Sequence, residues 1–148
     1  GTGELYDKDG QTAAKGKTNN RLLNEWLKHP YLHLKPPKST GREEFGSELM
    51  KTWLNEAKLA GLSLPGLMAT LTAFTTESIN RAYRNFLPRM PKESFLSGGG
   101  SFNKELRKQI GRRLPLLKVL LKMLIFQFQE VLMLHNTFFQ LHTMKLKL

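Results

Sequence analysis

At 148 residues the chain is long enough for one domain with a hydrophobic core, since a domain of that size buries roughly 70% of the surface its unfolded chain exposes. Apolar residues make up 40% and charged residues 24%, a balance that excludes intrinsic disorder as the ground state. The absence of cysteine excludes disulfides, thiolate metal sites and cysteine nucleophiles. The net charge of +11 is uneven: nine of the 23 basic side chains but two of the 12 acidic ones follow Gly100. Residues 1–17 contain no apolar leader stretch. The longest apolar stretch, residues 114–128, is interrupted by Pro115, Lys118 and Lys122 and falls short of the roughly 20 residues that cross a bilayer. No membrane association is expected, and a reducing, cytoplasmic setting fits the composition.

Residues 1–17 are polar and glycine-rich and predict a loop or an incomplete element, with Asp7 and Asp9 as solvent-exposed loop acids. Asn20 is placed to cap a short helix carrying Leu22, Leu23, Trp26 and Leu27, which His29-Pro30 ends because the residue before proline disfavours helical backbone. Residues 34–46, with Pro36-Pro37 and two glycines, predict a loop ordered by contacts rather than by its own backbone bonds. Ser47 predicts a capped second helix with Met50, Trp53, Leu54 and Ala57 on one face, stopped at Gly61. Pro65 suits the first turn of a third helix reaching about Phe86, with Leu67, Leu71, Phe74 or Thr75, Ile79 and Ala82 inward. His29 and His33 straddle Pro30, which denies them the helical spacing of a metal site.

After Pro88 and Pro91 the pattern changes. Residues 93–97 predict a short strand running into Gly98-Gly99-Gly100 and then a helix capped by Ser101 or Asn103. Glycines in such a turn let backbone approach a ligand, and free amides at a helix start favour phosphate or a ribose hydroxyl. A plain tight turn or linker explains three glycines equally well, and no Walker lysine follows them. Lys104, Arg107, Lys108, Arg112 and Arg113 form a basic run that reads either as the solvated face of a helix with Leu106 and Ile110 inward, or as a phosphate-binding surface of a nucleic-acid-binding module.

The run Tyr6-Asp7-Lys8-Asp9-Gly10 with Ala13, Ala14 and Gly16, then His29-Pro30-Tyr31, then Pro36-Pro37-Lys38-Ser39-Thr40-Gly41-Arg42-Glu43-Glu44-Phe45-Gly46, resembles the anhydro-N-acetylmuramic acid kinases. The threonine-containing segment 69–75 and the glycine turn with Asn103 follow in the same order. The resemblance implies an α/β fold, the second lobe of an actin-like sugar-kinase ATPase, truncated, with residues 1–121 as a partial carboxy-terminal lobe. It implies ATP with Mg as cofactors, an amino sugar as substrate, a first lobe as partner, and room for a homodimer. By the same resemblance Gly98, Gly99, Gly100 and Asn103 hold the adenosine end of ATP. Lys38, Ser39, Thr40 and Arg42 brace the nucleotide or sugar cleft, or else serve packing alone. The family's general base lies in an Asp-Thr-Gly-Pro-Gly-Asn motif that does not occur in this sequence, so no catalytic residue is assigned and the fragment is expected to be inactive alone.

From about Lys122 the family pattern stops, and residues 122–148 read as a divergent or frame-shifted tail without glycine or proline. Codons chosen for residues 122–133 can encode, one frame over, an Ile-Pro turn followed by glycines; the alternative is a divergent amphipathic helix. The encoding DNA tests the fragment reading. Codons for an Asp-Thr-Gly-Pro-Gly-Asn type motif are expected upstream in some frame, and a one-base shift near Lys122 should restore an Ile-Pro and glycine-rich ending. Intact flanks with neither feature would sink it.

Overall fold

The computed structural model describes residues 6–41, 43–114 and 118–121, the last four as backbone. The chain enters through a single 3-10 turn, Lys8–Gly10, and the short helix α1, Gln11–Lys15. Asp7 organises this start: its two carboxylate oxygens accept from the backbone N–H groups of Thr12 (2.8 Å) and Ala13 (3.0 Å). These are donors that a helix start leaves without intrahelical partners. The expectation of a loop with solvent-exposed acids is therefore corrected here, because Asp7 and Asp9 are both half-buried.

Helix α2, Asn20–Trp26, is capped by Asn19 rather than Asn20. Asn19 has the extended backbone that a capping residue needs, and its side chain accepts from Leu22 N–H at 3.1 Å. A 3-10 turn, Pro30–His33, follows. Helix α3, Ser47–Leu59, has Gly46 in the capping position, so the expected serine cap is not made. Its end does match the sequence. Gly61 adopts φ +66°, and Leu62 N–H donates to Ala57 carbonyl while Gly61 N–H donates to Lys58 carbonyl, both at 3.0 Å. That pair of bonds is a Schellman ending, which favours glycine at the left-handed position.

Helix α4, Leu64–Phe86, is capped by Ser63, with Pro65 in its first turn. It is more deeply buried than a one-sided stripe predicts. Gly66, Leu67, Ala69, Thr70 and all of residues 72–76 are buried, whereas Leu71, Ile79 and Ala82 are only half-buried. The reason is that α4 has neighbours on several sides: α1, α2 and α5 all pack on it. Its amino-terminal half carries the larger core, where Trp26 stacks on Trp53 at 4.7 Å and Trp53 meets Phe74 edge-on at 4.8 Å. Its carboxy-terminal half contributes Ile79 and Tyr83 to a second cluster of Leu96, Leu106, Ile110 and Leu114.

That second cluster belongs to a βαβ unit. Strand β1, Glu93–Leu96, leads through a 3-10 turn, Gly99–Phe102, into helix α5, Lys104–Arg113. Strand β2, Lys118–Leu121, then returns parallel to β1, pairing Glu93 with Lys118 and Leu96 with Leu121. Ser94 and Leu96 point inward, and Tyr83 reaches Ser94 hydroxyl to hydroxyl at 3.0 Å. The described residues are thus mostly helical, and their sheet is this one pair of strands. The predicted strand and helix are present; β2, signalled only by the short apolar run after Lys118, was not anticipated.

Helix α1 meets α4 so closely that a Cβ on Gly16 would collide with the Pro65 carbonyl and the Gly66 amide. Gly16→Ala is expected to destabilise the fold by about 1–3 kcal/mol, as overpacking against rigid backbone does. Ala14→Ser, at an exposed position of the same segment, should stay within about 0.5 kcal/mol of the wild type. Urea midpoints of the two variants measure the difference.

Candidate functional site

The glycine turn sits at the carboxyl end of β1, where open α/β sheets bind their ligands. Gly98 has φ +77° and ψ 179°, a conformation essentially restricted to glycine. Its carbonyl accepts from Ser101 twice, from the backbone N–H at 3.1 Å and the hydroxyl at 2.6 Å. These bonds fold the turn back on itself, and Ser101 is a residue that sequence reasoning assigned only to capping. Gly98 and Gly99 are exposed, while Gly100, Ser101 and Asn103 are buried. A Cβ at Gly99 would meet nothing within 4 Å, so the outer side of the turn is open to an approaching group.

Asn103 is the cap of α5. Its side-chain oxygen accepts from Leu106 N–H at 2.9 Å, and its carbonyl accepts from Arg107 N–H at 3.1 Å. The predicted wet face of α5 is present, with Lys104, Lys108 and Arg112 exposed and Leu106 and Ile110 buried. Several of its charges already have partners: Lys104 with Asp9 at 3.9 Å, Lys108 with Glu105 at 3.6 Å and Arg113 with Glu77 at 3.3 Å.

The second predicted set is held by different neighbours. Lys38 donates from Nζ to the carbonyls of Tyr31 (2.9 Å) and Leu32 (3.3 Å). The same ammonium lies over the rings of Tyr31 and Phe86, at 4.8 and 4.7 Å from their centroids. Lys38 thereby joins its loop to the Pro30–His33 turn and to the end of α4. Ser39 is exposed. Thr40 Oγ1 is buried and finds no hydrogen-bond partner among the described residues, and Arg42 lies outside them. His29 and His33 belong to the turn region as expected: the His29 ring packs at a tilt of 34° against Phe45, centroids 4.8 Å apart, and lies 3.7 Å from Glu44. Among the described residues no group of three or more His, Cys, Asp or Glu side chains could hold a metal ion, and no helix is long and apolar enough to cross a membrane.

A glycine turn between parallel strand and capped helix, open on its outer side, is the kind of α/β unit that receives a nucleotide. The model of the family described as anhydro-N-acetylmuramic acid kinase matches residues 1–123. A protein of that name from Trichormus variabilis is 46% identical over 117 residues, which cover 79% of this chain and 30% of the relative. Its namesake from Acaryochloris marina is 46% identical over 113 residues, 76% of this chain and 30% of the relative. One from Caldanaerobacter subterraneus is 39% identical over 117 residues, 78% and 30% respectively. The chain belongs to the anhydro-N-acetylmuramic acid kinase family. That family implies the actin-like sugar-kinase fold, here represented by one βαβ unit on a helical body. The chain spans about 30% of the length of these relatives.

Burial takes the Lys38 ammonium partly out of water and lowers its pKa from the ordinary 10.5, outweighing the carbonyls and ring faces that favour the cation. The unfolded chain then binds more protons between the folded pKa and 10.5, so this group adds stability as pH rises through that window. Lys38→Met should remove the rise of the urea midpoint with pH across that window. At pH 7 it should cost about 1–2 kcal/mol, because the Tyr31 and Leu32 carbonyls lose a charged donor.

Proposed function

We propose that the chain forms part of the second lobe of an ATP-dependent kinase that phosphorylates 1,6-anhydro-N-acetylmuramic acid in the recycling of cell-wall amino sugar. In this reading residues 1–121 are the lobe, truncated relative to the family, and residues 122–148 are a divergent or frame-shifted tail. The observation that carries it is the turn at the end of β1, with Gly98 at positive φ and open space outside Gly99, in a chain whose relatives bear the kinase name.

The turn fits a nucleotide by its shape. Gly98 and Gly99 offer backbone without side chains, so the adenosine end of ATP can lie against the main chain. Gly100 and Asn103, both buried, support the turn from behind. ATP supplies the transferred phosphoryl group, and what these residues do is bind and orient it. Among the described residues no group of three or more His, Asp or Glu side chains is placed to hold Mg. The general base implied by the family motif is not in this sequence, so the 148 residues alone hold only part of a site. The segment 38–41 is a brace, with Lys38 tying it to the Pro30–His33 turn.

The chain alone is expected to transfer no phosphoryl group and to bind ATP weakly. Fused to the remaining segments of a family relative, it should consume ATP in a sugar-dependent way. Gly99→Val, which has room to fold, should fill the ligand's approach and lower nucleotide affinity at least about tenfold, whereas Gly98→Val should disrupt the turn itself. Kinase activity indifferent to Gly99 would overturn the glycine turn as the nucleotide site, and tight salt-sensitive RNA binding lost with Arg112→Ala would overturn the kinase reading in favour of a nucleic-acid module.

A further inference from the structure

The start of α5, just after the glycine turn, is gripped from a distant part of the sequence. Asp9 and Gly10 are two successive left-handed residues, with φ +57° and +74°, and the second is buried. A Cβ at Gly10 would fall on the side-chain oxygen of Asn103 and lie 2.9 Å from Glu105 Cβ. Asp9 reaches Lys104 at 3.9 Å. Three consecutive residues, 103 to 105, are therefore touched by one tight turn. That turn is itself anchored through Asp7 to the amides of α1. The Asn103 oxygen that receives Gly10 is the one that caps α5 through Leu106 N–H, so the cap has Gly10 as a wall.

We propose that Gly10 is a positioning residue: it seats the Lys8–Gly10 turn on the Asn103 cap and thereby fixes the start of α5 and the glycine turn that precedes it. What is positioned for a nucleotide rests on the function proposed above; the seating itself does not. Glycine suits this place on two counts, the left-handed backbone, which alanine adopts at a modest cost, and the absent Cβ, which the Asn103 oxygen leaves no room for. The Asp9–Lys104 pair, about one third exposed on the acid side, adds orientation at the rim of the same contact.

Hydrogen exchange on the full 148-residue chain tests this. Gly10→Ala should speed exchange of the Leu106 and Arg107 amides about tenfold or more beyond the chain's slowest amides, as an overpacked contact loosens its surroundings. Gly61→Ala is the control, because it strains a positive φ in open space at the end of α3 and should leave those two amides tracking the rest of the chain. Gly10→Ala combined with Asn103→Ser, whose shorter side chain still caps, should recover protection. If Gly10→Ala fails to fold, a folded double variant supports the contact and an unfolded one overturns it. A non-hydrolysable ATP analogue, followed by amide shifts in residues 97–103, should bind more weakly to Gly10→Ala than to Gly61→Ala. Unchanged exchange at Leu106 in Gly10→Ala overturns the brace. A wild-type chain with no response to the analogue overturns the nucleotide reading, while exchange still decides the brace.

Discussion

Helix α4 carries five buried hydroxyl side chains and is still the element on which the described structure packs. Burying an unpaired hydroxyl costs about 1–3 kcal/mol by mutational measures, so a helix of this composition lies in a core at low cost only if most of its hydroxyls are bonded locally. Four of the five are. Thr70, Thr75, Thr76 and Ser78 donate to carbonyls three or four residues back, at 2.7 to 3.1 Å. Thr70 Oγ1 also accepts from Asn19 N–H, which fastens the start of α2, and Thr76 bonds to Gln109 of α5. Small residues along α4 then let α1 come close enough that Gly16 has no room for a Cβ.

This arrangement divides the work of the helix. The half near Leu67, Ala73 and Phe74 closes the aromatic core, where two tryptophans stack and Trp26 donates its indole N–H to Glu56 at 2.7 Å. The half near Ile79 and Tyr83 is the floor beneath β1 and α5. The glycine turn can stay open because the two elements it joins are held from below. Glycine backbone is entropically costly to order, and here the ordering is done by a capped helix, a strand in register and the Ser101 bonds to Gly98. A site whose ligand-facing residues lack side chains depends on such outside support for its shape.

The rigid proline-rich loop is a second case of support from elsewhere. Pro36 and Pro37 restrict the backbone and donate no amide hydrogen, so Lys38 supplies the donors, bonding two carbonyls and lying over two rings. The lysine that the family resemblance marked as a possible cleft residue is thus largely engaged in holding the loop to the end of α4. Ser39 remains exposed beside it.

Local rules were enough to read much of this from the sequence. The Schellman ending at Gly61, Pro65 in the first turn of α4, the strand at 93 and the Asn103 cap each depend on a few neighbouring residues, and each was legible. Caps displaced by one residue, as at Asn19, turn on backbone angles that adjacent asparagines do not reveal. The glycine turn was legible as strand, glycines and helix, yet which glycine needs positive φ was not: the structure places that demand on Gly98, with Gly99 left as open backbone. Long-range contacts were beyond the sequence altogether. No periodicity shows that Asp7 caps α1, that Lys38 seeks carbonyls, or that Gly10 lies against Asn103, because each depends on where α4 brings distant segments together. The sequence by itself determined helices α2 to α5, the strand–turn–helix order and the family. Only tertiary packing decided which of its polar groups are bonded inside the fold and which backbone is left open to a ligand, since burial and pairing are properties of neighbours in space.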